Sequence, residues 1–326
     1  MRDGLNLDVY FPKFGQFLLS AKELSAFEKL CAVGAWEVDA AHALEATLCK
    51  HFGLEKQVDW PLAPLALMGA RAKVEAGYWF LVHPVHFVLQ RDFFTLSNAV
   101  KLTGDEKEVL VAHLNRHFPQ DALHFMVSHS DDFLYMHVHD DVEVKTYLLS
   151  EAMGRDVGKF MPQGPHEMRF KSLLNEVQML LHDHPINQAR EQQGLLTVNS
   201  LWLSGGGNFK EMSKPRKQIV FQFFGNDPLS AGLASWTGVS CGSLGSDFSS
   251  LETKGHAVVV VNACEDLETA WFGPLFLGLK SGKLKTLRCH FDVHGMTFTL
   301  NLKSLDAWKF WRRLAPIASY FNLSNA

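Results

Sequence analysis

The stretch Asn175–Gly207 limits what this chain can fold into more than any other. Leu173, Leu174, Val177, Leu180 and Leu181 recur at helical spacing and predict a helix over Met168–His182, ended by Pro185. A short second helix over Ile186–Gln193 stops at Gly194, and Val198–Leu203 reads as a strand running into Gly205, Gly206 and Gly207. A helix–loop–strand–glycine unit of this kind needs a sheet to join and an apolar layer to cover it. Glu176, His182, His184, Asn187, Arg190, Asn199, Ser200 and Trp202 all fall within it, a denser set of directional polar side chains than elsewhere in the chain.

The remaining patterns say which sheet. Leu5–Phe11 reads as an opening strand, and Gly77–Leu89 as one or two strands interrupted at Pro84. Leu123–Ser128 and Phe133–Val138 read as a hairpin, followed by strands over Gln218–Phe224, Ala257–Val261, Leu284–Val293 and Met296–Leu300, with His294 and Gly295 turning the last pair. Helices are predicted over Ser20–Val33, Asp39–Phe52 with Asp39 as cap, Thr103–Phe118 with Thr103 as cap, Val142–Arg155, Leu267–Leu279 and Ser304–Leu314. Strands alternate with helices in places and form hairpins in others. The expected fold is therefore α/β: a mixed, mainly parallel sheet flanked by helices, with antiparallel hairpin additions. No repeat or low-complexity linker divides residues 1–326, so a single α/β domain is expected, with 155–168 as its weakest seam.

Apolar residues make up 47% of the 326 positions, enough for a large core. A net charge of −4 excludes a general nucleic-acid binder, which needs a basic surface. No apolar run approaches the roughly 20 residues of a membrane span, so no membrane partner is expected. Met-Arg-Asp-Gly at the start has no secretory pattern, and five scattered cysteines without a CxxC pair suit a reducing compartment. A cytoplasmic protein is expected.

Several groups could carry chemistry. Gly205, Gly206 and Gly207 can let backbone amides approach an anion, or let a sheet edge approach another element; no Gly-Lys-Ser/Thr follows to make a P-loop. Asn187 and Arg190 share a helical face, where Arg190 can hold a carboxylate or phosphate, or else pair with Glu176 or cap carbonyls inside the fold. His86 and Arg91 flank a strand end and are candidate ligand contacts. His137 and His139 share a strand face and, with Asp141, resemble part of a metal-ligand set, as does His182-Asp183-His184. Cys241 lacks a nucleophile elbow and reads as structural. Trp308–Arg313 reads as an amphipathic helix docked on the core.

The motif His184-Pro-Ile-Asn187-x-x-Arg190-x-x-x-Gly194, followed by Asn199-Ser200-x-Trp202-x-x-Gly205-x-Gly207, resembles a segment of the archaeal-type cofactor-independent phosphoglycerate mutases, in the alkaline-phosphatase superfamily. It is more similar still to a proteobacterial phosphoglycerate-mutase-like family, described as regulatory proteins of the RpfE type. That likeness extends to Trp79…Pro84-Val85-His86…Arg91-Asp92, Pro162-x-Gly164, Trp271-Phe-x-Pro274-Leu and Trp311-Arg312-Arg313, and so spans most of the chain.

The resemblance implies an alkaline-phosphatase-like fold. It also implies two divalent cations held by Asp and His ligands, which would clamp a transferring phosphoryl group. The sequence departs from that pattern. The place of the family's first metal-binding acid is Pro12-Lys13-Phe14-Gly15, Asp3 precedes the strand, and Asp227, Asp247 and Asp266 have no partner histidine at the family's spacing. The expectation is a pseudoenzyme, or a catalytically diverged protein, without the dinuclear site and without a cofactor. It would bind a small anion or a protein partner in a regulatory role. His184, Asn187, Arg190, Asn199, Ser200, Trp202 and the 205–207 glycines would form the pocket, with Glu176, His86 and Arg91 nearby. One alternative is an active metal-dependent phosphomutase or phosphatase using His137, His139 and Asp141. Another is an interaction module presenting its C-terminal helix.

Overall fold

The computed structural model describes residues 4–20, 24–40, 42–72, 75–119, 122–128, 133–140, 142–212, 221–262 and 266–321. The chain begins with β1 (Leu5–Phe11), α1 (Phe14–Ser20), α2 (Ser25–Val33), β2 (Ala35–Asp39) and α3 (Leu44–His51). Its middle carries α4 (Leu62–Gly69), β3 (Tyr78–Leu89), β4 (Phe94–Ala99), α5 (Gly104–His117), β5 (Leu123–Val127), β6 (Leu134–Val138), α6 (Leu149–Ala152), α7 (Glu167–His182), α8 (Pro185–Gln192) and β7 (Ser200–Asn208). The last part carries β8 (Gln222–Phe224), α9 (Pro228–Thr237), β9 (Cys241–Gly242), β10 (His256–Val260), α10 (Gly273–Lys280), β11 (Leu284–Val293) and β12 (Met296–Lys303). Contacts divide the chain into two compact units: Met1–Gly53 with Pro215–Ala326, and Leu54–Lys214. Residues 155–168 lie inside the second.

The first unit is built on a sheet ordered β2-β12-β11-β1-β10-β8-β9. β11, β1, β10, β8 and β9 run parallel, and β12 and β2 add on antiparallel. This is the mixed, mainly parallel sheet the pattern predicts. His294 and Gly295, both at positive φ, turn β11 into β12. Leu7, Val9 and Phe11 of β1 pack into a core with Phe27 and Leu30 of α2 and Leu275 and Leu279 of α10. Phenylalanines knit that layer: Phe14 lies 4.4 Å from Phe291 and Phe27 lies 4.5 Å from Phe272, centroid to centroid. α2 has no capping side chain of its own. Glu268, from the π turn Glu268–Phe272, accepts instead from the N–H groups of Ala26 and Phe27.

Two expectations fail in this unit. Asp39 does not cap a helix; it closes β2, and α3 begins only at Leu44. β2 pairs with the outer edge of β12, a partner that local propensity does not register. The helix expected over Ser304–Leu314 is only a 3₁₀ turn at Ser304–Trp308. Phe310 and Trp311 beyond it are 91% and 66% exposed, so no docked face supports a helix there.

The second unit holds an antiparallel sheet ordered β4-β3-β6-β5, with β7 also paired to β3. Pro84 does not interrupt β3. β3 pairs with β6 up to Val82 and with β4 from Val85, so the proline without an N–H falls at that handover. Thr103 caps α5 as expected, and with Glu106 it forms a capping box. The helix expected over Val142–Arg155 shrinks to α6. Phe80, Leu110, Leu114, Phe125, Phe170 and Val177 share one core. Among the described residues, no helix is long and apolar enough to cross a membrane.

Candidate functional site

Within the second unit, the 184–207 motif is an arrangement of backbone partners. His184 is the N-cap of α8, its Nδ1 accepting from the Ile186 N–H, and burial holds its ring below the usual imidazole range, with His113 adding to the effect. Asn187 is buried. Its Nδ2 donates to the carbonyls of Leu181 and Val198, at 2.8 and 2.6 Å, and its Oδ1 accepts from the Val198 N–H at 2.8 Å. Arg190 Nε donates to the Leu196 carbonyl at 2.7 Å. Its Nη1 meets both oxygens of Glu106 at 2.8 and 2.9 Å, so the acid of the α5 capping box is Arg190's partner, not Glu176. Gly194, at φ +68°, lets Leu195 N–H return to the Arg190 carbonyl and closes α8. The spacing Asn187…Arg190…Gly194 thus stops a helix and ties down the 195–198 return.

The same holds further along. Asn199 pairs its amide with the N–H and C=O of Phe87, at 2.7 and 2.8 Å, like one more residue of a strand. Ser200 accepts from Gln178, and Trp202 Nε1 donates to the Tyr147 carbonyl. The glycines lie inside β7 and not in a loop after it. Trp79 pairs with Gly207 and Leu81 with Ser204, so Gly205 and Gly206 form a bulge opposite Phe80, with Gly205 at φ +61°. A Cβ on Gly206 would lie 2.7 Å from the Tyr78 ring, and one on Gly207 2.3 Å from Pro61 Cβ. The triple glycine is where β7 passes beneath α4 and two aromatic rings.

The other candidates are dispersed. Glu176 is exposed on α7, 3.6 Å from His117. His86 Nδ1 donates to the Thr197 carbonyl, and Arg91 is exposed in the turn between β3 and β4. His137 donates to the Ala76 carbonyl and stacks on Trp79, with His139 at 4.5 Å; Asp141 lies outside the described residues. Asp227, Asp247 and Asp266 each accept from a backbone N–H three residues on, as helix or turn caps.

Sequence reasoning missed a polar layer in the first unit. On β1 the residues alternate, with Leu5, Leu7, Val9 and Phe11 in the core, and Asn6, Asp8 and Tyr10 on the opposite face. Parallel register with β11 sets Asn6 beside Thr286, Asp8 beside Arg288 and Tyr10 beside His290. Asp8 is 2% exposed. Both its oxygens are bridged by the Arg288 guanidinium, Nε at 2.5 Å and Nη2 at 2.9 Å, and His256 approaches at 2.7 Å and His290 at 3.4 Å. Burial by itself would raise the Asp8 carboxyl. The contacts with His256, His290 and Arg288 outweigh burial and hold it well below the usual carboxylate range. His51 shares a 2.9 Å hydrogen bond with the Tyr10 hydroxyl, and burial pushes it down to about 4, against the pull of Asp8. Burial likewise holds the His290 ring below the usual imidazole range, against the pull of Asp8, so the layer centres on the Asp8–Arg288 ion pair. The visible signal was polar residues at every second position of two otherwise apolar strands.

The pair of divalent cations implied by the family likeness can be tested against these groups. Among the described residues, Asp8, His51 and His256 form the one set of three potential ligands, with donor atoms within 4.8 Å of one another. Two ions need several ligands each and a bridging acid. Here one carboxylate serves the whole set, and a guanidinium already bridges its oxygens. Asp8, His51 and His256 by themselves do not make a two-ion clamp.

No family model and no curated protein matches the chain. Among solved structures, it is similar to a cofactor-independent phosphoglycerate mutase from Thermoplasma acidophilum DSM 1728, at 15% identity over 98% of this chain and 94% of that one, with a TM-score of 0.43. It is also similar to the PH0037 protein from Pyrococcus horikoshii, at 12% identity over 93% and 88% of the two chains, with a TM-score of 0.47.

Proposed function

We propose that this chain is a phosphoglycerate-mutase-like protein that has diverged from two-metal phosphoryl transfer and acts by binding a small anion or a protein partner in a regulatory role. The observation that carries the reading is the state of Asp8. Asp8, the one carboxylate in the three-ligand set found among the described residues, is already bridged by Arg288, where a metal enzyme would keep it for a cation. The contacts of Asn187, Arg190 and Asn199 support a folding role for the 184–207 motif, since an anion at Arg190 would have to displace Glu106. Metal content of the purified protein, with phosphatase and mutase assays on 2- and 3-phosphoglycerate, tests this. Little bound metal and no chelator-sensitive turnover are expected. Two equivalents of manganese or zinc per chain, with turnover lost to chelator, would end it.

A second reading, a metal-dependent phosphomutase or phosphatase with a single ion, is favoured by the approach of His51 and His256 to Asp8. It predicts one metal equivalent that Asp8→Asn removes and Arg190→Ala leaves in place.

A further inference from the structure

An open cavity of about 550 Å³ lies in the first unit, away from the 184–207 motif and from the Asp8 layer. Its walls include Cys31 at the end of α2, Trp36 of β2, and Trp311, Arg312, Arg313 and Tyr320 from the segment after β12. Trp36 and Tyr320 are stacked, with centroids 5.7 Å apart and planes at 27°. Trp311 offers a third ring, 66% exposed. Arg312 and Arg313 are exposed, and neither side chain has an ion-pair partner among the described residues, although the whole chain carries a net charge of −4. Among the described residues no acid lines the cavity, though Glu28 lies close enough to act on Cys31 and Tyr320. The indole Nε1 of Trp36 is buried and has no hydrogen-bond partner among the described residues.

Two features therefore meet in one place: an exposed indole face beside the stacked rings of Trp36 and Tyr320, and two guanidinium groups without an ion-pair partner among the described residues. Aromatic faces take a planar ring by stacking, and guanidinium groups take phosphate oxygens through paired hydrogen bonds. The volume lies within the range of small-molecule sites. We propose that this cavity binds a mononucleotide, its base against the exposed ring of Trp311 and its phosphate on Arg312 and Arg313. The proposal does not rest on the mutase-like reading, because the cavity shares no residue with the 184–207 motif or with the Asp8 layer.

The test is tryptophan fluorescence and calorimetry on the full chain, titrated with the common ribonucleoside monophosphates, with adenosine and with inorganic phosphate. Saturable quenching by at least one nucleotide is expected, with its nucleoside and phosphate each weaker by about tenfold or more. The double variant Arg312→Ala/Arg313→Ala, on exposed positions, should weaken nucleotide binding by about tenfold with an unchanged melting temperature. Trp311→Ala removes the exposed ring and should weaken binding several-fold. The proposal is overturned if no monophosphate binds by millimolar concentration, or if phosphate alone binds as well as the nucleotide. It is equally overturned if either variant binds like the wild type, or if the chain self-associates through this face and Trp311→Ala abolishes the association.

Discussion

Arg190 is positioned like a ligand-binding residue and contacted like a structural one. Its side chain is 8% exposed, and all its visible contacts are with Glu106 and the Leu196 carbonyl. Removing Arg190 from this partly buried pair leaves Glu106 and the Leu196 carbonyl without their donor, so Arg190→Ala should cost about 2 kcal/mol in urea unfolding, and Arg190→Lys should recover only part of that. An unchanged unfolding midpoint would contradict this role. Asp59 makes a second residue-level prediction. Burial pushes its carboxyl up to about 6, even though Thr146 donates to it from both its N–H and its hydroxyl. A raised carboxyl favours the protonated form in the folded state. The stabilisation is complete below the unfolded value near 4 and is lost as pH rises through about 6. The amplitude is roughly 3 kcal/mol, and Asp59→Asn should flatten that part of the stability–pH curve. A variant whose curve still falls between pH 4 and 7 would exclude Asp59 as the cause.

At the scale of elements, the glycines of β7 separate two reasons for a glycine. Gly207 sits where a Cβ would lie 2.3 Å from Pro61 Cβ, whereas a Cβ on Gly194 would meet nothing within 4 Å. Gly194 needs only its left-handed φ of +68°. Gly207→Ala should therefore cost about 3 kcal/mol by overpacking, against about 1 kcal/mol for Gly194→Ala, as read from unfolding midpoints. Equal costs would mean that β7 does not pass closely under α4. The elements best predicted from sequence, α5, α7 and the β11–β12 turn, are those whose information is local: a capping box, an apolar stripe, a His-Gly pair. Those mispredicted, β2 and the stretch after Ser304, depend on whether a partner edge or a covering layer is present.

For the molecule as a whole, Leu54–Lys214 is one continuous stretch with its own sheet and core. Expressed alone, it should fold cooperatively, with dispersed amide resonances and a single unfolding transition. A fragment that stays molten would show that its core is incomplete. The sequence by itself determined the mixed α/β class, most strand positions and the polar density of the 175–207 stretch, because periodicity and capping act over a few residues. It also held the polar alternation of β1 and β11, legible once those strands are set side by side. Only the tertiary structure decided that Glu106, 84 positions from Arg190, takes its charge, and that strand register brings Asp8 to Arg288 and His256. The same is true of Trp36 and Arg312, which meet across one cavity. Hydrogen bonds and ion pairs between distant segments depend on how strands order and helices pack, and spacing along the chain carries no record of that.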